Sequence, residues 1–187
     1  TVLWTGDGSS QSITGVGFQP DFVWIKERSS TSSHHLLDTV RGAGKYLNSN
    51  NTNVEVNNTT SVSSFDSDGF TTGSSAGTNE NSQTYVAWTW DAGDNQPSTG
   101  ISSVTYTGNG ATQSIKGFGF SPDFVWIKER SSSSGHSLFD TLRGAGQYLG
   151  SHSTSAENTS TTQLTSFNTD GFTTGLSGGT NQSGQTY

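Results

Sequence analysis

The sequence predicts an all-β protein built as two tandem β-sandwich domains, jelly-roll-like in outline. Three observations predict it. The chain repeats itself: residues 1–85 align without a gap onto 103–187 at an offset of 102, and more than half of the aligned positions are identical. Apolar residues alternate or run in short blocks, and nowhere recur at i, i+3, i+4 and i+7 over three turns as an amphipathic helix requires. The 24 glycines among 187 residues, with abundant Ser, Thr and Asn, suit short strands joined by tight turns. A repeat of 102 exceeds the roughly 20–50 residues of solenoid units, so each copy is long enough to bury a core of its own.

Domain one is assigned to 1–90, a linker to 91–100 and domain two to 101–187. At the start of copy two, Val104 to Thr107 reads as a strand running into Asn109-Gly110, a strong hairpin signal; copy one has Asp7-Gly8 there. Phe22 and Trp24 fall on one face of the next strand and Val23 and Ile25 on the other, the pattern of a central strand. Pro20 precedes it, where a missing N–H does no damage, and Lys26-Glu27-Arg28 is expected to carry its end into solvent. Leu36 to Val40 and Tyr46-Leu47 are further short strands, and Phe65 to Phe70 is a hairpin turning on Asp68-Gly69. Val86, Trp88 and Trp90 alternate with Ala87 and Thr89, which makes them the last strand of copy one. Copy two has no counterpart of Val86 to Trp90, so its last strand is missing and one sheet edge is expected to be open. The sequence is therefore expected to be a window of a longer polypeptide, or copy two to take a closing strand from elsewhere.

Composition excludes several classes. Zero Cys rules out disulfide scaffolds, thiol catalysis and Cys-ligated metal. No run of about 18 apolar residues is present, so no membrane insertion is expected. Eight basic against fifteen acidic residues leave no electrostatic footprint for nucleic acid. Charged residues are only 12% and aromatics reach 11%, which argues for a folded chain despite the sparse aliphatic content.

Polar residues shared by the copies are the candidates for chemistry. His34 and His136 have Asp38 and Asp140 nearby, but no Gly-x-Ser-x-Gly elbow accompanies them, and hydrogen-bonding loop residues are the simpler reading. Glu27 with Asp38, and Glu129 with Asp140, could form the carboxylate pair of a glycosidase if each pair faced one cleft. Asp66, Asp68 and Asp170 resemble the start of a calcium loop without its closing Glu, so they are weak candidates and no metal is expected. Arg41-Gly42-Ala43-Gly44 and Arg143-Gly144-Ala145-Gly146 read as Gly-rich bends whose arginines brace against Asp38 and Asp140. Trp24, Trp126, Trp88 and Trp90 are assigned to the core, whereas Trp4 and its counterpart Tyr106 are candidates for exposed rings that stack on a sugar. Tyr46, Tyr148, His34, His136, Arg41 and Arg143 complete the candidate glycan-binding set.

Gly17-Phe18-Gln19-Pro20-Asp21-Phe22-Val23-Trp24-Ile25-Lys26, Asp38-Thr39-Val40-Arg41-Gly42, Phe65 to Phe70 and Tyr85-Val86-Ala87-Trp88 together resemble a repeat domain of tailed-bacteriophage structural proteins, notably tail and fibre proteins of marine phages. The resemblance covers both copies. It implies a non-enzymatic virion component at the extracellular surface, with other virion proteins and copies of itself as partners. Host-surface polysaccharide is the further expected ligand; no cofactor and no nucleic acid are expected. A polysaccharide-degrading tail spike and a free carbohydrate-binding module are the alternatives.

Overall fold

The computed structural model describes residues 1–92 and 100–187. Most of the expected linker, at 93–99, lies outside the described residues. The chain divides into two units that follow the repeat closely.

In unit 1 the strands are β1 (Val2–Thr5), β2 (Gln11–Thr14), β3 (Phe22–Glu27), β4 (His35–Asp38), β5 (Lys45–Tyr46), β6 (Val56–Asn57), β7 (Val62–Asp66), β8 (Gly69–Thr72) and β9 (Thr84–Trp90), with one short helix, α1 (Ala76–Asn79), before β9. They form a four-stranded sheet in the order β1-β9-β3-β4, a three-stranded sheet β2-β8-β7, and the small pair β5-β6. All pairings are antiparallel. The core lies between the two larger sheets: Trp4, Val23, Ile25, Leu37, Tyr85 and Ala87 meet Ile13, Val62 and Phe70. Within the three-stranded sheet, β8 comes close to β2 at Gly69, whose φ is +147° and whose Cβ would clash with the Ile13 carbonyl oxygen, so only glycine fits. Tyr85 ties β9 to α1 by donating its hydroxyl to the Ala76 carbonyl at 2.7 Å.

Unit 2 repeats the plan with β10 (Gln113–Lys116), β11 (Phe124–Lys128), β12 (His136–Asp140), β13 (Gln147–Tyr148), β14 (Asn158–Thr159), β15 (Leu164–Asn168), β16 (Gly171–Thr174) and α2 (Gly178–Asn181). Sheet β10-β16-β15 copies β2-β8-β7, and β11-β12 copies β3-β4. Its core gathers Ile115, Val125, Ile127, Phe139, Leu164, Phe172 and Tyr187. The predicted all-β, two-sandwich organisation is the one the structure has.

Three local expectations are corrected. Asp7-Gly8 and Asn109-Gly110 are not hairpin turns, because β1 pairs with β9 whereas β2 pairs with β8. The loop instead crosses between sheets, held by the buried Asn79 amide, which donates to Asp7 and to the Ser9 carbonyl at 3.0 and 2.7 Å. Val104 to Thr107 is not a strand: a single bridge joins Thr107 to Thr186, since of β9's counterparts this chain carries only Thr186 and Tyr187. Glu27 and Glu129 are not solvated; both are buried, because they continue the inward alternation of Val23 and Ile25, and of Val125 and Ile127. Hydroxyls meet the Glu27 carboxylate there, from Ser32 at 2.5 Å and Ser29 at 3.3 Å. Burial alone would push this carboxyl up, but the serine hydroxyls and the Lys26 ammonium outweigh it and leave it below its ordinary value.

Candidate functional site

Because β-strand side chains alternate, burying Val23, Ile25, Tyr85 and Ala87 sends Phe22, Trp24, Trp88 and Trp90 to the opposite face of the same sheet. The register places Trp24 beside Trp88 and Phe22 beside Trp90. Their rings pair at 5.6 Å in a T-shaped contact and at 5.3 Å in a tilted one. Such pairs contribute about 0.5–1.5 kcal/mol each beyond area burial, and they fix the ring planes. Trp88 remains 37% exposed, and Leu3, directly across from Val86, is 59% exposed, so the aromatic strip continues toward the sheet edge as an open apolar surface.

His34 gives the strip a polar flank. Its Nδ1 accepts the Trp24 indole N–H at 2.7 Å, with the rings 5.6 Å apart. An accepting Nδ1 places the proton on Nε2 of the neutral ring. Burial, with Lys26 nearby, holds the imidazole below its ordinary pKa and so favours that neutral form. The site therefore offers edge-on and tilted rings, an indole-bound imidazole and the Lys26 side chain on one sheet face.

The assignment of rings reverses the expectation from sequence. Trp4 is a core residue, stacked on Tyr85 at 5.2 Å, edge-on to Phe70 at 5.7 Å, and donating its indole N–H to the Thr78 carbonyl. Tyr106 stacks on Tyr187 at 4.9 Å and donates to the Thr180 carbonyl, and burial pushes its phenol up. Neither ring presents an open face to a ligand. Phe22, Trp24, Trp88 and Trp90 lie outside the candidate set drawn from the sequence. The signal was Lys26, two positions beyond Trp24 and on its face, which marks that face as the wet one.

The remaining candidates are placed as follows. Arg41 is locked by Asp38 at 2.5 Å, Glu55 at 3.3 Å and the Leu36 carbonyl at 2.9 Å, and Arg143 repeats this with Asp140, Glu157 and Leu138. Both are braces of the Gly-rich bend. Tyr46 is covered by His35, stacked at 4.0 Å. His136 accepts the Trp126 indole N–H at 2.8 Å, and Tyr148 leans against Phe139. Asp68 accepts the N–H groups of Gly17 and Gly15 at 2.6 and 3.0 Å, Asp170 does the same for Gly119 and Gly117, and Asp66 accepts the Thr71 hydroxyl. Those carboxylates hold loops, and no group of three His, Asp or Glu residues among the described residues is arranged to hold a metal ion. Glu27 and Asp38 do not share a cleft: Asp38 lies across from Phe22, five residues or roughly 17 Å along β3 from Glu27 and on the other sheet face.

A family profile, described as a domain of unknown function (DUF7483), matches the chain twice, over residues 1–100 and 96–187. The chain belongs to this family. No curated protein and no solved structure matches it. The two DUF7483 repeats share the Trp–His pair, the Arg clamp and the Asp-held glycine loop. The paired aromatic strip is seen in the first repeat, where β9 supplies Trp88 and Trp90.

Proposed function

We propose that the chain is a non-enzymatic structural and adhesive part of a phage virion, belonging to a tail fibre, the tail or a capsid decoration at the outer surface. Its first unit holds host-surface polysaccharide against the Trp24–Trp88 and Phe22–Trp90 face. The observation that carries this reading is the half-open aromatic strip on a rigid antiparallel sheet, flanked by His34 and Lys26. Rings whose orientation is already fixed lose little freedom when a sugar's apolar C–H face settles on them, and neighbouring polar groups supply orientation. The virion setting is supported by the resemblance of the Phe18–Lys26 and Asp38–Gly42 blocks to phage tail repeats, and by the tandem plan. Other virion proteins and further copies of the chain are the partners in this reading.

The test is a polysaccharide panel probed with the full chain and with Trp88→Ala. Saturable binding to at least one polysaccharide, weakened tenfold or more by the substitution, supports adhesion. No binding across the panel removes the adhesive half of the proposal, and release of shortened saccharides overturns the non-enzymatic half.

A further inference from the structure

Unit 2 contains a cavity of about 260 Å³ that opens beside β12 and β13, remote in sequence from the aromatic strip. Its walls include His136, Ser137, Tyr148, His152, Asn158 and Gln163. We propose that this cavity is a binding site for one neutral sugar ring, the terminal residue of a glycan.

Three sequence differences between the repeats build it together. Position 152 is His where the first repeat has Asn50, and positions 135 and 150 are Gly where it has Ser33 and Asn48. The His152 ring stands against both glycines: a Cβ at Gly150 would lie 2.6 Å from its Cε1, and one at Gly135 would lie closer still. Neither glycine has a positive φ, so space for the imidazole is the reason for both. A side chain for which two neighbours have been cut back to glycine is placed, not incidental.

The hydrogen bonds leave the right groups unspent. His152 Nδ1 accepts the His136 backbone N–H at 3.0 Å, so Nε2 of the neutral ring keeps its proton and is a donor. Gln163 is 9% exposed, and its Oε1 takes the Ser137 hydroxyl at 3.0 Å, while its amide NH₂ has no partner among the described residues. The Tyr148 hydroxyl likewise has none among the described residues. Both side chains line the cavity, so these groups are open to a ligand's hydroxyls.

These features select the ligand class. No Lys, Arg, Asp or Glu lines the cavity, so it favours an uncharged molecule. Its volume falls just below the roughly 300–1,000 Å³ of sites for larger small molecules, which suits a single ring. The Tyr148 ring supplies an aromatic wall, and the surrounding amide, imidazole and hydroxyl groups suit a rim of hydroxyls that both donate and accept. Unit 1 serves as the contrast, because His35 occupies the position of Ser137 and stacks on Tyr46 at 4.0 Å, covering the corresponding ring.

The experiment is a titration of the full chain with glucose, galactose, mannose and N-acetylglucosamine, each alone, followed by NMR of the His152 ring and backbone amides. At least one sugar is expected to shift the residues lining the cavity with saturation in the millimolar range. The double variant Ser137→His with Gln163→Ser installs the pair that unit 1 already accommodates, and is expected to weaken binding tenfold or more with little change in Tm. Trp88→Ala is expected to leave these shifts unchanged, which separates this site from the aromatic strip. The proposal is overturned if no sugar shifts the cavity residues, if the double variant binds as well as the parent, or if imidazole or adenine saturates the site where every sugar fails.

Discussion

The Trp24 indole N–H donates to Nδ1 of His34 at 2.7 Å, and the same bond recurs between Trp126 and His136 at 2.8 Å. A partly buried neutral hydrogen bond of this kind contributes about 1 kcal/mol, and here it also orients a ring of the candidate site. His34→Leu is expected to lower stability by about 1 kcal/mol and to weaken polysaccharide binding through Trp24, measured by denaturant unfolding beside a binding titration. Unchanged binding with the expected loss of stability would leave the bond a purely structural one.

Exposed and buried tryptophans should separate cleanly by substitution. Trp4→Ala removes a ring packed on Tyr85 and Phe70 and is expected to cost about 3–5 kcal/mol. Trp88→Ala, at a position 37% exposed, is expected to cost less than about 1.5 kcal/mol while abolishing most binding. Equal losses of stability at the two positions, read from urea midpoints, would refute the assignment of the outer face.

The two arginine clamps differ in burial, and the cost of breaking them should follow. In unit 1 the Arg41 and Asp38 side chains are 5% and 8% exposed, against 23% and 26% for Arg143 and Asp140. Removing one partner of a buried pair costs about 3–5 kcal/mol because the other charge is stranded, whereas wetter pairs cost far less. Arg41→Gln is therefore expected to destabilise more than Arg143→Gln, by 2 kcal/mol or about that, in chemical denaturation.

His35 gives unit 1 a pH-dependent contribution with no counterpart at the aligned position of unit 2, which is Ser137. Burial, with His34 beside it, depresses the His35 pKa from 6.5 to about 4. Above pH 6.5 the ring is neutral in both the folded and unfolded chain, and nothing changes. Between 6.5 and 4 the unfolded chain binds a proton that the folded one refuses, so stability falls by about 3 kcal/mol and then levels off. A His35→Gln variant should show a flatter stability profile across that window; an unchanged slope would show that His35 titrates normally.

Much of this was legible in the sequence because the repeat and the alternation are local signals. Phe22 to Arg28 reads as a central strand, and Phe65 to Phe70 as a hairpin, from residue pattern and turn chemistry alone, and the structure pairs both. What alternation cannot supply is which face of a two-sided strand is wet. Phe22 and Trp24 are as apolar as Val23 and Ile25, so the decision belongs to the sheet opposite, whose Ile13, Val62 and Phe70 pack with Val23 and Ile25 in one core. Glu27 added to the difficulty, since a carboxylate reads as solvated unless the serines at 29 and 32 are known to fold back over it. The cavity in unit 2 is hidden for another reason: it depends on Gly135, Gly150 and His152 meeting in space, across a separation in sequence that no periodicity links.

The replacement of Trp4 by Tyr106 at the aligned position has an optical consequence. Of the five tryptophans, Trp4, Trp24, Trp88 and Trp90 belong to unit 1 and Trp126 alone to unit 2. Intrinsic emission from the intact chain therefore reports chiefly on the first sandwich, and its buried Trp4 and half-open Trp88 should contribute bluer and redder components. A single Trp126→Phe change would leave tryptophan emission to the first repeat alone, so that melting of that half can be followed in the undivided chain.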